Sequence, residues 1–363
     1  MKILHVTESF ASGVMDLIAS LALRQVEHGS EVTVIFAERP DTPTSDKLAN
    51  IFDSRIILVK ASGVASGKVA SLLALRRSIR SQLRLKDVDA IHLHSTWAGL
   101  VGRIGFGGRF YSKRTFFSPH GFSFLRQDLP GIARRILTLL ERVGAMRGFV
   151  VLSTHSEFAI ARKILPRAKL RLLVNAIRVS DLPTAEFSRG PRPQVVMVGR
   201  VVYQKAPWLF ADLADEFSEC ADFIWYGDGA PEDVEKWLGT KNVQISGWMP
   251  IRELRQKLAR ADLLVFATLW EGMPLSLIEA QSIGLPAIAT RIVGNQDIVI
   301  DGQTGYLCDS PEEVRARTRE LICDEALRRT MAKNAIDLVR PKFDDRQSGQ
   351  LSIDLYLDAR GPI

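Results

Sequence analysis

The chain of 363 residues contains few cysteines and no long apolar run. Its cysteines, Cys220, Cys308 and Cys323, are odd in number and scattered, with no pair at metal-ligand spacing, which indicates a reducing compartment and no zinc site. No uncharged apolar stretch reaches the roughly 18 residues that a membrane-spanning helix needs, and the first residues lack the apolar core of a signal peptide. These absences predict a cytoplasmic protein.

Charge is divided unequally between the two halves of the chain. Residues 1–180 contain 27 Lys and Arg against 13 Asp and Glu, and residues 181–363 contain 21 against 28, so the net charge of +7 combines +14 with −7. The basic half can attract nucleic acid, an anionic bilayer or an acidic substrate, and a solvated basic face is the simpler alternative. Its basic clusters lie at 76–86, 108–114, 133–135 and 161–171.

The first half alternates between short apolar runs and stretches of helical periodicity. KILHVT, EVTVIFA, DAIHLHS and RTFFS predict strands, whereas VMDLIASLALRQVEHG and residues 66–84 predict helices, the first of them ending at Gly29. Strands that alternate with helices predict a parallel sheet with both faces covered.

The same pattern restarts after residues 178–193, a segment rich in Pro, Ser and Gly that predicts an interdomain linker. QVVMVGR, ADFIWYGDG, NVQISGW, ADLLVFAT and LPAIAT predict five further strands. The sequence therefore predicts two doubly wound α/β domains, residues 1–177 and 194–342, that face a central cleft. A C-terminal helix within 343–363 is expected to pack across both.

Two glutamates lie in the stretch ATLWEGMPLSLIEAQSIGLPAIAT, residues 267–290. Glu271 follows a predicted strand, and Pro274 is expected at the first position of the next helix, with Glu279 about 7.5 Å further along the axis. A solvated loop acid and a helix-dipole acid are the alternatives for the two glutamates. The start of the helix would offer N–H groups to an anion, those of Met273, Leu275 and Ser276.

Polar residues also follow strands in the rest of the chain. Arg200 and Lys205, in VGRVVYQK, are paired cations without a nearby acidic partner and are suited to a diphosphate, although two solvated surface cations would give the same pattern. His120, in SPHGF, can donate to a sugar hydroxyl or a phosphate, but a lone histidine is commonly structural. Gly13, in ASGV, permits close approach of the backbone to a phosphate.

Together these motifs resemble the family-four retaining glycosyltransferases of GT-B fold, over essentially the whole chain. The resemblance is carried by WEGMPLSLIEA, by GR followed by Lys205, by HG after a first-domain strand and by the early glycine loop. It implies transfer of a sugar from a nucleoside-diphosphate sugar that is held mainly by the second domain. It also implies retention of configuration, with no metal and no other cofactor.

The resemblance implies roles for individual residues. Glu271 and His120 would contact the donor sugar, Glu279 the ribose, and Arg200 and Lys205 the diphosphate. The helix-start residues Met273, Leu275 and Ser276 would complete the nucleotide-sugar site with glycines at Gly13, Gly199, Gly227, Gly247 and Gly272.

Two positions depart from the family's pattern, and one motif competes with it. Ser12 stands where many members have a second glycine, and Asp297 stands where a glutamate is usual. DVD at 87–89 matches a metal-binding pattern of the other large glycosyltransferase fold. It precedes a strand, so its carboxylates fall at the wrong end of the sheet, and we expect a turn without a metal.

The implied mechanism is a front-face displacement. Arg200, Lys205 and helix N–H groups would stabilise charge on the departing diphosphate, which takes the acceptor proton. The resemblance implies lipid-linked or oligosaccharide acceptors, and the +14 half predicts peripheral binding to the anionic inner face of the membrane through residues 66–86 and 108–135. A nucleotide-sugar epimerase of similar architecture is an alternative. A basic nucleic-acid-binding protein is a further one, which would leave the carboxylate pair unused, so no nucleic-acid partner is expected.

Overall fold

The computed structural model describes residues 1–61, 68–85, 87–105, 113–187, 191–239 and 242–359. The chain forms two compact units. The first comprises Met1–Leu125, Leu129–Ala176 and Asp345–Ile363, and the second comprises Arg126–Asp128 and Ile177–Asp344. Parts of four predicted segments lie outside the described residues: 66–67 and 86 of the first membrane-binding segment, 108–112 of the second, 188–190 of the linker and 360–363 of the C-terminal segment.

The first unit is built on a seven-stranded parallel sheet with the order β3-β2-β1-β4-β5-β6-β7. Its strands are buried on both faces near the centre, as apolar runs in a parallel sheet require. The order reverses between the neighbouring strands β1 and β4, so the topological switch point lies at their carboxyl ends, inside the sheet. The strands are β1 (Lys2–Thr7), β2 (Glu31–Phe36), β3 (Ile57–Lys60), β4 (Ala90–His94), β5 (Thr115–Ser118), β6 (Phe149–Leu152) and β7 (Lys169–Leu172).

Helices cover the sheet of the first unit. The first helix ends where the sequence predicts, because Gly29 takes a positive φ of 78° that a residue with a side chain rarely adopts. No described helix is both long enough and apolar enough to cross a bilayer. The helices are α1 (Ser12–Glu27), α2 (Ser45–Ile51), α3 (Lys68–Leu85), α4 (Thr96–Gly105), α5 (Gly131–Gly144) and α6 (His155–Ile164).

The second unit has a six-stranded parallel sheet with the order β10-β9-β8-β11-β12-β13, so its switch point lies between β8 and β11. The strands are β8 (Gln194–Val198), β9 (Asp222–Tyr226), β10 (Val243–Ile245), β11 (Leu263–Phe266), β12 (Ala287–Thr290) and β13 (Gly305–Cys308). Its helices are α7 (Pro207–Glu216), α8 (Pro231–Leu238), α9 (Ile251–Ala259), α10 (Leu275–Ile283), α11 (Asn295–Ile298), α12 (Pro311–Cys323) and α13 (Glu325–Leu338). The predicted class of two doubly wound α/β units is confirmed.

The last helix, α14 (Ser348–Asp358), is part of the first unit. It packs on α1, where Arg24 and Ser20 both donate to the buried carboxylate of Asp345, at 2.7 and 2.8 Å. Ile353 and Tyr356 of this helix join the core of the first unit. The described contacts of the predicted C-terminal helix therefore place it on α1, beside the N-terminal strands.

Candidate functional site

The loops that follow β8 and β11 meet at the switch point of the second unit. The backbone N–H of Leu269 donates to the carbonyl of Gln204 at 2.9 Å, and the Gln204 side chain donates to the carbonyl of Trp270 at 2.6 Å. These bonds hold the two loops together at the carboxyl ends of neighbouring parallel strands, where open α/β sheets bind their ligands.

Lys205 and Glu271 face each other across these loops. The Lys205 ammonium donates to Oε1 of Glu271 at 2.8 Å, with side chains only 14% and 9% exposed, and it lies 4.5 Å from the centre of the Phe266 ring. The prediction that this cation has no acidic partner is therefore wrong, because the fold brings Glu271 from a loop far along the chain. Arg200 is exposed directly after β8.

Three of the predicted glycines lie side by side at the ends of β8, β9 and β10. Gly227 has a φ of +142°, and a Cβ there would lie 2.1 Å from the carbonyl oxygen of Gly199. Gly227 also pairs with Gly247, and the indole N–H of Trp225 donates to the Gly199 carbonyl at 2.8 Å. Only a residue without a side chain permits this approach, so the glycines allow the backbones at these strand ends to lie close together.

The helix after Glu271 begins one residue later than the sequence predicts. Pro274 precedes α10 as its cap residue, and the N–H groups of Leu277 and Ile278 donate to the Pro274 carbonyl, both at 3.2 Å. Leu275 and Ser276 occupy the first two helical positions, whose N–H groups point out of the helix start. The preceding Gly272 and Met273 are buried. The expected N–H groups are thus brought next to Glu271.

The backbone of Gly272 packs closely against Gly294, in the segment that contains Asp297. A Cβ on Gly294, which has a φ of +89°, would lie 2.2 Å from the Gly272 carbonyl oxygen. The N–H of Asp297 donates to the Gly294 carbonyl at 3.1 Å, inside the short helix α11. Asp297 therefore belongs to the segment that supports the Gly272 loop.

Glu279 has an arginine partner that the sequence analysis did not identify. Arg255 of α9 donates to Oε1 of Glu279 from Nε at 3.2 Å and from Nη2 at 2.6 Å, and both side chains are largely buried. Because both donors use one oxygen, Oε2 of Glu279 remains available to a ligand hydroxyl. The periodicity of IRELRQKLARA predicts the helix that contains Arg255, but it does not indicate that Arg255 pairs with Glu279.

The residues that the sequence predicts in the first unit follow β1 and β5. Gly13 lies exposed in the first turn of α1, and a Cβ there would meet no atom within 4 Å. His120 takes a φ of +53°, and its Nε2 lies 2.8 Å from Nδ1 of His94. Burial lowers the pKa of His120 to about 4, so it is neutral near physiological pH. It lines a cavity of about 20 Å³, room for about one water, together with Ser118 and Asn175.

A cluster of histidines lies behind His120. His5 of β1 is in register with His92 of β4, and one nitrogen from each of these and from His94 lies within 4.8 Å of the others. Such a spacing permits metal ligation. Every ring nitrogen of the three, however, already has a hydrogen-bond partner in the protein. A metal ion would have to displace these bonds.

The DVD motif lies at the amino end of β4, whereas the switch point of the first unit lies at the carboxyl ends of β1 and β4. Asp89 accepts the backbone N–H of Lys2 at 2.8 Å, and Asp87 pairs with Arg114 at 3.2 Å. Both carboxylates are thus used at the amino end of the strand, where the sequence places a turn.

An exposed apolar stripe runs along α5 in the first unit. Ile132, Ile136, Leu139 and Val143 are 66%, 53%, 59% and 40% exposed, and their spacing places them on one face of the helix. Exposed Arg135 and Arg142 lie beside that face, about 70 to 90° from its centre at 3.6 residues per turn. The positive charge of this region was predicted from the sequence, but the apolar stripe was not.

Two family profiles match the chain. The one described as Glycosyl transferases group 1 matches residues 192–324, and the one described as Glycosyltransferase Family 4 matches residues 11–181. The UDP-Gal:alpha-D-GlcNAc-diphosphoundecaprenol alpha-1,3-galactosyltransferase of Escherichia coli is 26% identical over 310 residues, which are 77% of this chain and 78% of that protein.

Solved structures resemble the chain along its full length. Sucrose-phosphate synthase from Thermosynechococcus elongatus has a TM-score of 0.82 at 18% identity, covering 99% of this chain and 100% of that one. Anabaena HepE in complex with UDP-glucose has a TM-score of 0.76 at 16% identity, with coverage of 99% and 100%. At these identities the likeness concerns the fold alone.

Proposed function

Because the chain belongs to the group 1, family 4 glycosyltransferases and has their GT-B fold, we propose that it moves a sugar from a nucleoside-diphosphate sugar to a lipid-linked saccharide acceptor. The transfer would retain the anomeric configuration and need no metal ion. Its products would be surface polysaccharide or glycolipid. The galactosyltransferase relative, named for a diphosphoundecaprenol acceptor, and HepE, solved with UDP-glucose, support both substrate classes.

The observation that carries the proposal is the meeting of Lys205, Glu271 and the start of α10 at the switch point of the second unit. An ammonium group has three N–H donors, and Glu271 accepts one of them, so two are left for phosphate oxygens. The N–H groups of Leu275 and Ser276 and the helix dipole favour an anion at the same place. A departing diphosphate would be stabilised by these fixed donors without a metal.

The remaining roles are assigned by position. Glu279, whose Oε1 is held by Arg255, would accept ribose hydroxyls at Oε2. Glu271 would hold Lys205 and contact the donor sugar. Exposed Arg200 would add positive charge beside the diphosphate, and His120 would contact a sugar hydroxyl. The absence of side chains at Gly199, Gly227 and Gly247 would leave room for the nucleoside.

The exposed stripe on α5 supports binding to the anionic inner face of the membrane. An amphipathic helix lies in the bilayer interface when an apolar face is flanked by basic residues, which is the arrangement of Ile136 and Leu139 beside Arg135 and Arg142. A polyisoprenoid-linked sugar is presented at that interface. The protein would therefore meet its acceptor by binding the surface rather than by spanning it.

The proposal is tested first by ligand binding and then by transfer. A nucleotide that binds only the folded chain raises its melting temperature, so UDP, GDP and ADP and their sugars are compared with and without EDTA. The stabilising sugar nucleotide, labelled in its sugar, is then incubated with undecaprenol-diphosphate saccharides in anionic vesicles. The anomeric configuration of the product is read by NMR. Absence of both stabilisation and transfer would overturn the function, and loss of binding in EDTA would overturn its metal independence.

A further inference from the structure

A continuous hydrogen-bonded chain connects Gln25 to His120 inside the first unit. The carboxamide Oε1 of Gln25 lies 2.8 Å from Nε2 of His5, and Nδ1 of His5 lies 2.8 Å from Nε2 of His94. Nδ1 of His94 lies 2.8 Å from Nε2 of His120. Three imidazoles thus lie in series, and the first of them contacts a side chain of α1 that takes no part in the proposed chemistry.

The orientation of the Gln25 amide follows from α14. Ser352 donates its hydroxyl proton to the Gly349 carbonyl at 2.7 Å. Its oxygen can then only accept, so the group 2.9 Å away must be the amide nitrogen of Gln25. The amide oxygen consequently faces His5.

A second branch has the same direction. Ser118 donates to the Val151 carbonyl at 3.1 Å and therefore accepts from Nε2 of His92 at 2.8 Å. Nδ1 of His92 then accepts the Tyr356 hydroxyl proton at 2.7 Å, which leaves the phenolic oxygen to accept from the Gln25 nitrogen at 3.4 Å. Two backbone carbonyls at opposite ends of the network thus require the same orientation of Gln25.

We propose that Gln25 is a positioning residue that fixes the tautomer of His120. The amide oxygen accepts only, so His5 carries its proton on Nε2 and presents a bare Nδ1. His94 must then donate from Nε2, and His120 must donate from Nε2 to His94. His120 is left with a bare Nδ1, an acceptor and not a donor. Among the described residues, no protein group bonds this nitrogen.

The hydrogen-bonded chain requires neutral imidazole rings, and the burial of these rings favours the neutral state. Burial lowers the pKa of His5 to about 4 and lowers that of His94 well below 6.5, with the nearby histidines adding to the shift at His94. With all three rings neutral, each has one N–H and one lone pair, and the donor order has a single solution.

The tautomer determines what His120 can recognise, and this step rests on the proposed function. A bare Nδ1 accepts a proton from a sugar hydroxyl and repels a phosphate oxygen, which has no proton to give. His120 would therefore select a sugar hydroxyl, so a deoxy donor lacking that group would lose the contact. A site built to pair a hydroxyl rejects the analogue without it far more strongly than an apolar pocket does.

The test is long-range proton–nitrogen NMR of the ligand-free protein labelled in histidine, near neutral pH. His5, His94 and His120 are expected as Nε2–H tautomers, assigned by single His→Asn variants. Protonation of His120 at Nδ1 in the unaltered protein would overturn the proposal. This measurement needs no donor and no acceptor, so failure of the glycosyltransferase assignment leaves its result readable.

Three variants test whether Gln25 is the cause. Gln25→Met removes the acceptor, and we expect the ratio of His120 tautomers to move toward Nδ1–H by about tenfold, the worth of one hydrogen bond. Gln25→Glu retains an acceptor for His5 and should keep the Nε2–H form. Tyr356→Phe removes a hydroxyl of the other branch and should alter only His92. An unchanged His120 in Gln25→Met would overturn the proposal.

A metal titration distinguishes the hydrogen-bonded chain of histidines from metal binding by the same cluster. Stoichiometric Zn²⁺ is added to the labelled protein, and the nitrogen shifts of His5, His92 and His94 are followed. Unchanged shifts support the hydrogen-bonded chain. Metal-ligand shifts in all three would show that the cluster binds an ion, and the proposed tautomer order would then be wrong.

Discussion

The ammonium of Lys205 lies 2.8 Å from Oε1 of Glu271, across two loops that follow neighbouring strands. The pair joins a cation near α7 to a carboxylate three residues before Pro274. Because both side chains are largely buried, neither charge can be removed without leaving the other uncompensated. The pair therefore orders the loops before any ligand arrives, and its cation remains able to bind one.

Replacing the cation tests the diphosphate role. Lys205→Ala should lower kcat/KM by about two to three powers of ten, the usual cost of losing one preorganised donor. Lys257→Ala, which removes an exposed cation of the same unit, is the matched control and should leave kcat/KM unchanged. Steady-state kinetics with circular dichroism as a folding check decide the matter, and activity within about threefold of wild type would count against the role.

Glu279 is expected to recognise the ribose and not the phosphates. Glu279→Gln should weaken binding of the preferred nucleoside diphosphate by about 10- to 150-fold, since a hydrogen bond to a charged group is worth about 1.5 to 3 kcal/mol. Inorganic pyrophosphate has no ribose, so its affinity should change by less than about twofold. Isothermal titration calorimetry measures the affinity for both ligands. An equal loss of affinity for the nucleoside diphosphate and for pyrophosphate would contradict the ribose-binding role of Glu279.

The apolar stripe on α5 should control vesicle binding. Leu139→Glu removes an exposed apolar side chain whose burial is worth about 1.5 to 3 kcal/mol, so binding to anionic vesicles should fall at least tenfold. Leu338→Glu, at an exposed leucine of the second unit, is the control. Co-sedimentation at rising salt provides the measurement. If the unaltered protein does not bind vesicles at low salt, or if both variants lose binding equally, the stripe on α5 is not the membrane-binding surface.

Acid should destabilise the first unit through its histidines. The pKa values of His5 and His120 are lowered by burial to about 4, so the unfolded chain binds more protons as pH falls below about 6.5. Stability is complete above pH 6.5 and is lost toward pH 4, by up to about 1.4 kcal/mol per pH unit for each group. The pKa of Glu8 is raised by desolvation, so this single group changes the stability in the opposite direction as pH falls.

Urea unfolding at a series of pH values measures this dependence. His92 and His94, whose pKa values are also lowered by burial, should steepen it. A free energy of unfolding that is flat between about pH 6.5 and 5 would show that the cluster is protonated in the folded state, which also contradicts the neutral chain.

Strong local patterns made much of the fold predictable. QVVMVGR and ADLLVFAT are apolar runs bounded by Gly or polar residues, and both form central strands of the second sheet. β3 and β7 were not predicted, because ILVK and KLRL are short, basic and only partly buried at the edge of the first sheet. β6 and β13 were missed as well, although FVVL of β6 is an apolar run as long as LLVF of β11 and was therefore an unused signal.

The sequence pointed to individual residues of the candidate site but not to the ion pairs that they form. Glu271, Lys205 and Glu279 were identified by type and position, yet Arg255 is the partner of Glu279 from a different helix, which only the packing of α9 on α10 reveals. His92 and His94 alternate within DAIHLHS, so both lie on one face of β4. That spacing, with His5 in an equally apolar strand, was an unused signal of a polar cluster in the core.

The position of α14 in the chain also determines when the first unit can finish folding during synthesis. Ser352 and Tyr356 anchor the network that begins at Gln25, and they emerge from the ribosome only after the entire second unit. Helix α1 therefore stays uncovered until α14 has been synthesised. A chain released before α14 is made would expose α1 to chaperones, and the docking of α14 thus completes the fold of the unit that is synthesised first.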